Sequence, residues 1–179
     1  ERVLRHGIAL LSIRNAHQSG ALWTENQKYA QQGWIVLNFV KSRPRLAIYG
    51  AQKPMTGTNA MAFSFPDGEG GVLGWDQASA KLSLGEVKQY ALRGETLPPG
   101  CGLDKDGNPT TDALALLNGG TLLPFGEHKG SGIAMMVEVM AAALTGANFG
   151  YEDRSAEYPA AASSNAGQTL IVINPQANH

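Results

Sequence analysis

Residues Pro124 to Gly132 read P-F-G-E-H-K-G-S-G and run directly into the apolar pattern of Ile133 to Leu144. Glycines 126, 130 and 132 allow backbone to come close to another body, and His128 and Lys129 supply cationic or hydrogen-bonding groups where a helix begins. First-turn N–H groups of a helix lack an intrahelical partner and sit at the positive end of its dipole, so such a segment suits a phosphate or carboxylate. A glycine-rich turn entering a core helix explains the same residues without a ligand. A second candidate is the run Asn15-Ala16-His17-Gln18-Ser19-Gly20, which offers several donors ahead of a helix. His17 there follows the carboxyl end of a strand, where open α/β sheets gather ligands. A solvated loop histidine is the plain alternative. Asp76 closes a strand and Glu86 lies on the next helix; a strand-end cap and a solvated helix face are their ordinary explanations. Ser42, Thr58 and Asn59 are loop polars for which turn formation suffices. His6 and His179 lie near the termini and read as solvated.

Composition narrows the partners. The 179 residues are 43% apolar, enough for one core, and predict a single domain over residues 1–179. Fourteen Lys and Arg against fifteen Asp and Glu give a net charge of -1, so no overall field points to nucleic acid or an anionic membrane. The single cysteine, Cys101, has no internal disulfide partner, and no Cys/His cluster has zinc spacing, so no metal site is expected. A reducing cytoplasm fits this usage. No apolar run reaches the ~18 to 20 residues of a membrane span, and Glu1 to His6 are charged rather than signal-like. A start at Glu1, inside what reads as the tail of a helix and without an initiator methionine, points to a fragment.

These candidate groups need elements to hold them. Ile8 to Ile13 reads as a buried strand, Gly20 to Gln32 as a helix ended by Gly33, and Trp34 to Val40 as a second strand. That order resembles a crossover unit, which would make the two strands parallel neighbours. Lys41 to Gly57 is mostly loop, with Leu46 to Tyr49 a candidate short strand. Ala60 to Phe65 and Gly71 to Trp75, joined by Pro66-Asp67-Gly68, read as an antiparallel pair. Leu82 to Leu92 has helical spacing, Leu97 to Thr111 reads as an ordered loop turning at Asp106-Gly107-Asn108, and Thr111 or Asp112 caps a short helix to Leu117. Ile133, Met136, Val137, Met140 and Leu144 recur at helical spacing with Glu138 the lone charge, which predicts a helix buried almost all round, its methionines core filler, ended by Gly146. Asn148 to Asn165 reads as a long polar loop and Thr169 to Ile173 as a last strand. The fold class expected is α/β, a mixed parallel and antiparallel sheet flanked by helices. No Walker loop, G-x-S-x-G elbow or G-x-G-x-x-G turn follows a first strand.

Taken in order, five blocks resemble the malate/L-lactate dehydrogenase family of non-Rossmann NAD(P)-dependent oxidoreductases. They are Arg14 to Gln18, Gly57 to Phe63, Asp76 to Ser79, Asp104 to Asp112 and Leu122 to Gly130. Ala21-Leu22-Trp23 and Gly150-Tyr151-Glu152 are most similar to the branch that reduces Δ1-piperideine-2-carboxylate and Δ1-pyrroline-2-carboxylate. The resemblance implies hydride transfer between NADPH, or NADH, and a small cyclic 2-imino (or 2-oxo/2-hydroxy) carboxylate, in a homodimer with its site near a subunit interface. It implies cofactor contacts at Gln18, Ser19, Gly20, Ala21, Leu22, Ser42, Asp76, Gln77, Ala78 and Lys129, and a substrate contact at Thr58. His17 matches a histidine given an acid/base role. Glu86 stands where the branch has an aspartate in a relay with a serine and a histidine, so the carboxylate is kept on a longer stem. The chain departs at Gln18, which stands where the family has a second histidine and which cannot titrate. The resemblance also implies a longer parent protein, of which this chain is the central region: the relay serine and histidine and a substrate-binding arginine have no counterpart here, nor has the portion beyond Pro175. The alternative is a truncated, catalytically inert member that retains nucleotide binding or dimerisation.

Overall fold

A computed structural model describes residues 1–16, 20–158 and 164–178. In chain order they form α1 (Arg2–His6), β1 (Ile8–Ala16), α2 (Leu22–Ala30), β2 (Ile35–Val40), β3 (Ala60–Pro66), β4 (Val72–Gln77) and α3 (Leu84–Arg93). There follow β5 (Gly102–Leu103), β6 (Pro109–Thr110), α4 (Ala113–Leu117), β7 (Thr121–Leu122), α5 (His128–Glu138) and β8 (Ala166–Ile173). A π-helical turn, Val139–Ala143, continues α5.

The main sheet has the order β1-β8-β2-β3-β4, and every ladder in it is antiparallel. The α/β class holds. The parallel pairing expected of β1 and β2 does not: both strands run antiparallel to β8, which lies between them. The helix between β1 and β2 carries the chain across a slot that a strand some 130 positions later fills; Gln168 of β8 is bonded to Asn38 of β2 at that separation. The expected buried first strand is also corrected. β1 is an edge strand with Leu10 and Leu11 about half exposed.

Side chains alternate across the sheet with the period of two that strands impose. On β2, Val36 and Val40 face the α1 and α2 side with Leu170 and Val172 of β8, whereas Leu37 and Phe39 face α5 with Ile171. Asn38 would leave a buried amide among apolar groups. It is satisfied instead by Glu25 of α2, 3.0 Å from its Nδ2, and by Gln168. Gln168 Nε2 also donates to Glu25 at 2.6 Å, so three polar groups tie α2 to the two central strands.

Local signals set the starts of two helices. Ser83 accepts from the Glu86 N–H at 3.1 Å while Glu86 accepts from the Ser83 N–H at 2.7 Å, a reciprocal capping box at the start of α3. Asp112 accepts from the Leu114 N–H at 2.8 Å and starts α4. The β3–β4 turn is closed by Asp67, whose Oδ1 accepts from the N–H groups of Glu69 and Gly71 at 2.8 Å each. A second core lies beneath β5, β6 and β7, where Leu46, Val87, Leu97, Leu116, Leu122 and Ala134 pack together. Cys101, within that region, is fully buried and burial raises its thiol pKa.

The long helix is corrected in two respects. It begins at His128, and only one stripe of it is buried: Gly130, Ala134, Val137, Glu138, Ala141 and Ala142. Met135, Met136, Val139 and Leu144 are exposed, so the first two methionines fill no core here. At the π-helical turn the backbone pairing shifts to Leu144 N donating to Val139 O, which leaves carbonyls for side chains. Thr169 Oγ1 donates to Met140 O at 2.6 Å and Thr145 Oγ1 to Ala141 O at 2.9 Å.

The loop from Asn148 holds single 3-10 turns at Gly150–Glu152 and Ser155–Glu157. Asp153 organises it, accepting from Ser155 Oγ, from Ser164 N at 3.2 Å and from Ser164 Oγ at 3.1 Å. Burial pushes its carboxyl pKa up, but these hydrogen bonds and the charge of Lys41 outweigh that and hold it below the usual aspartate value. A depressed folded-state pKa means stability present above the unfolded value and lost as pH falls through the folded one. Urea midpoints are therefore expected to fall below about pH 4, the ordinary aspartate range, and Asp153→Asn should flatten that fall. An unchanged acid limb in the variant would contradict the assignment.

Candidate functional site

The segment Asp76 to Lys81 is the seam on which the site is built. At its start Asp76 Oδ2 accepts from the Trp23 N–H at 3.1 Å, so the carboxyl end of β4 caps the first turn of α2. That bond brings Gly20, Ala21 and Leu22 to the same edge as Asp76, Gln77 and Ala78. In the middle, Ser79 reaches in three directions. Its N–H donates to Thr58 O at 2.6 Å, its hydroxyl donates to Asn59 O at 2.9 Å, and its carbonyl accepts from Phe125 N at 3.1 Å. The Thr58 loop and the Pro124 to Gly130 loop are thereby fixed to one short stretch of chain.

Two adjoining clefts open along this seam. One, about 370 Å³, is lined by Asp76, Gln77, Ala78, Lys81, Ser83 and Glu86. The other, about 530 Å³, is lined by Lys81, Gly100, Glu127, His128 and Lys129. Volumes of this order hold a substantial part of a small-molecule ligand. The balance of charge differs between the two: Asp76 and Glu86 mark the first, Lys129 with Glu127 and His128 the second, and Lys81 is common to both. Carboxylates accept hydrogen bonds from sugar hydroxyls, and ammonium groups draw phosphates.

The glycine-rich loop serves the fold as well as any ligand. A Cβ on Gly130 would lie 2.8 Å from Phe125 N and 2.9 Å from Ser79 O, so this glycine is required by the chain's own close approach. Gly132 has open space around it. Lys129 N donates to Gly126 O at 3.0 Å and Gly130 N to Phe125 O at 2.9 Å, which uses two of the N–H groups that an anion would want. What remains for an anion is the Lys129 ammonium, whose stem lies over Gly126, together with His128 and Lys81.

Ser42 and Thr58 form the third part. Thr58 N donates to Ser42 Oγ at 3.1 Å, and the two hydroxyl oxygens lie 3.4 Å apart. Gly57 makes this possible, since a Cβ there would collide with Ser42 and would lie 2.6 Å from Asn59 Oδ1.

The structure thus brings together Asp76, Gln77, Ala78, Glu86 and Lys129 around the clefts, with Ala21 and Leu22 against Asp76. Thr58 and Ser42 adjoin through Ser79. His17, Gln18 and Ser19 lie outside the described residues. Glu86 is committed in part, because its Oε2 caps α3; its Oε1 makes no hydrogen bond among the described residues. Sequence reasoning missed Lys81, whose ammonium is exposed to both clefts and donates to Pro99 O at 2.8 Å. A lone lysine between two turns carries no pattern that would single it out. Ser79 was visible only as part of a block. Among the described residues no group of three or more His, Cys, Asp and Glu converges as for a metal ion, and no helix is long and apolar enough to cross a membrane.

The family model for malate/L-lactate dehydrogenase matches residues 1–179. The chain belongs to that family. The Δ1-pyrroline-2-carboxylate/Δ1-piperideine-2-carboxylate reductase of Pseudomonas putida is 46% identical over 169 residues, covering 94% of this chain and 50% of the relative. The crystal structure of Δ1-piperideine-2-carboxylate reductase from Pseudomonas syringae pvar. tomato superposes with a TM-score of 0.94 at 42% identity, covering 98% of this chain and 53% of that one. A (2R)-3-sulfolactate dehydrogenase (NADP(+)) of Chromohalobacter salexigens is 31% identical, again over 94% of this chain and 50% of the relative. The chain therefore spans about half the length of the curated relatives it matches. In family terms, the two clefts and the Ser42–Thr58 pair belong to a fold whose named members are dehydrogenases and reductases.

Proposed function

We propose that this chain is the cofactor-holding half of an NADPH-dependent reductase acting on cyclic 2-imino carboxylates such as Δ1-piperideine-2-carboxylate and Δ1-pyrroline-2-carboxylate. The observation that carries the reading is the seam itself. One six-residue stretch joins an acid-lined cleft, a lysine-lined cleft and a paired hydroxyl site, in a chain 46% identical to a reductase of that name. NADPH, when bound, supplies the hydride. The residues present suit it: Lys81, His128 and Lys129 for phosphates, Asp76 and Glu86 for hydroxyl groups. The NADP(+) in the name of the sulfolactate relative supports the phosphorylated cofactor over NADH.

Reduction of an imine adds a hydride to the ring carbon and a proton to the ring nitrogen. This chain's share is to orient and to manage that proton. Thr58 Oγ1 donates to the substrate carboxylate. Ser42, for which the resemblance implies a cofactor contact, in this reading instead fixes the rotamer from which Thr58 does so, since its Oγ faces Thr58 and it lines neither cleft. Asp76 and Gln77 hold the cofactor edge of the cleft, with Ala21 and Leu22 beside Asp76, and Gln18, Ser19 and Gly20 are further cofactor contacts in this reading. His17 holds the proton for the imine, and Glu86 steadies a charge through its free Oε1. In this reading the protein is a cytoplasmic homodimer. The exposed apolar side chains of β1 and α5, Leu10, Leu11, Met135 and Met136, support a covering by further polypeptide.

The test is turnover. The full-length polypeptide carrying this region is expected to oxidise NADPH saturably with one of the two cyclic imino acids, followed as loss of reduced-nicotinamide absorbance. No turnover with either imino acid, nor with the 2-oxo acids of the same length, overturns the proposal. The half-length coverage of its relatives favours one second reading, a chain that binds nucleotide without catalysing. Hydride transfer by the 179-residue chain alone excludes it.

A further inference from the structure

Behind Thr58 lies a buried polar cluster that none of the clefts uses. Asn59 is fully buried and sits in the left-handed region at φ 40°, a conformation that a residue other than glycine adopts only when its surroundings hold it. Four bonds hold it here. Its Nδ2 donates to Ala134 O at 3.0 Å and to Glu138 Oε1 at 2.9 Å, its Oδ1 accepts from Ser42 N at 3.2 Å, and its carbonyl accepts from Ser79 Oγ. Glu138 is itself buried, and its Oε2 accepts from Gly150 N at 3.1 Å. No Lys or Arg makes an ion pair with it among the described residues, although the buried Lys41 ammonium, which has no hydrogen-bond partner, feels its charge. A buried carboxylate held by two hydrogen bonds and no ion pair is costly, so its presence calls for a task that an apolar side chain would not perform.

We propose that Glu138 is a positioning residue for the reaction, acting through Asn59 to hold the Ser42 and Thr58 hydroxyls in place at the substrate. This rests on the reading of Thr58 as the substrate contact. The chain of bonds is continuous: Glu138 fixes the Asn59 amide, the amide oxygen fixes the Ser42 backbone, and Ser42 Oγ receives Thr58 N. Glu138 touches neither substrate nor cofactor. Without its acceptor, Asn59 is free to leave the strained conformation, and the pair of hydroxyls moves with it while the two clefts stay as they are.

The experiment is made on the full-length polypeptide. Glu138→Gln keeps the shape but sets an amide NH2 against one of two donors. It is expected to raise the KM for the cyclic imino acid by about tenfold, the scale of one lost hydrogen bond to a charged group, while the Kd for NADPH stays within about twofold. Thr58→Ala should raise the same KM, and adding Glu138→Gln to it should change KM little further, because both act on one contact. A purely structural role would lower thermal stability and the active fraction and leave KM unmoved. An unchanged KM in Glu138→Gln, or full additivity in the double variant, overturns the proposal. Should Glu138→Gln fail to fold, Glu138→Asp keeps the charge opposite Lys41 with a reach one methylene shorter. A raised KM in that variant supports the proposal and an unchanged one overturns it. Wild-type protein inactive on every imino and oxo acid overturns the functional reading along with this one; active wild type with an unmoved KM overturns this one alone.

Discussion

Gly167→Ala is expected to lower the melting temperature of this protein by roughly 10 °C, the shift that a loss of about 3 kcal/mol gives in a chain of this size. Gly167 lies in β8, the strand that fills the slot between β1 and β2. A Cβ at this position would run into Ala141 O and would stand 2.5 Å from Thr145 Oγ1 and 2.7 Å from Ala147 Cβ. The nearest obstacle, Ala141 O, is backbone and Ala147 Cβ is fixed to backbone, so no rotamer change relieves the clash. Either β8 lifts from the π-helical turn or the turn unwinds, and both break the bonds by which Thr169 and Thr145 satisfy the carbonyls of Met140 and Ala141. Gly132→Ala is the contrasting variant. It lies within α5 with nothing inside 4 Å, and alanine there should add up to about 1 kcal/mol through helix propensity alone. Thermal unfolding of both variants decides the matter. A Gly167→Ala protein as stable as the parent would mean that β8 does not press on the helix as described.

That contrast also shows what sequence patterns carry and what they leave out. Elements whose ends are set by neighbouring residues were legible. Ser83 and Glu86, Asp112, and the turn at Asp67 each act within a few positions, and the elements they bound lie close to where periodicity places them. Partnership between distant strands was not. Nothing in Ile8 to Ile13 or Thr169 to Ile173 says that these strands pair, and β1, α2 and β2 alone read equally well as a crossover between parallel neighbours. The exposed faces of β1 and α5 misled for a related reason. Apolar periodicity reports that a face is suited to burial, and it does not say whether the chain's own elements supply the cover. In the site, blocks of residues were recognisable because their order matches a family, while Lys81 and Ser79 gain meaning only from where the seam places them. Glu138 was visible as a lone charge in an apolar helix. Its partner Asn59 is 79 positions away, beyond the reach of any local pattern.

Charge reversal at the lysine-lined cleft gives the largest functional effect. Lys129→Glu is expected to weaken NADPH binding by about a hundredfold, measured as Kd by quenching or transfer of protein fluorescence. A hydrogen bond to a charged group contributes about 1.5–3 kcal/mol, and every 1.4 kcal/mol is a factor of about ten in Kd. Reversal removes that bond and adds repulsion toward a phosphate, so the upper part of the range applies. Lys81→Glu should cost less. Its ammonium already donates one hydrogen to Pro99 O, whereas Lys129 has no side-chain partner among the described residues. Part of any Lys81 effect is then the loss of the tie between the seam and the Pro99 loop, and comparison with Lys81→Met, which removes charge and tie alike, isolates the part due to repulsion. Salt is a second check. The deficit should shrink as ionic strength rises and the Debye length falls to about 8 Å at physiological salt. NADH gives the sharpest division. If Lys129 faces the 2′-phosphate, the variant loses affinity for NADPH alone and the two cofactors converge; if it faces the pyrophosphate, both weaken by the same factor and their ratio holds. Undiminished binding of both cofactors would remove the lysine-lined cleft from the site.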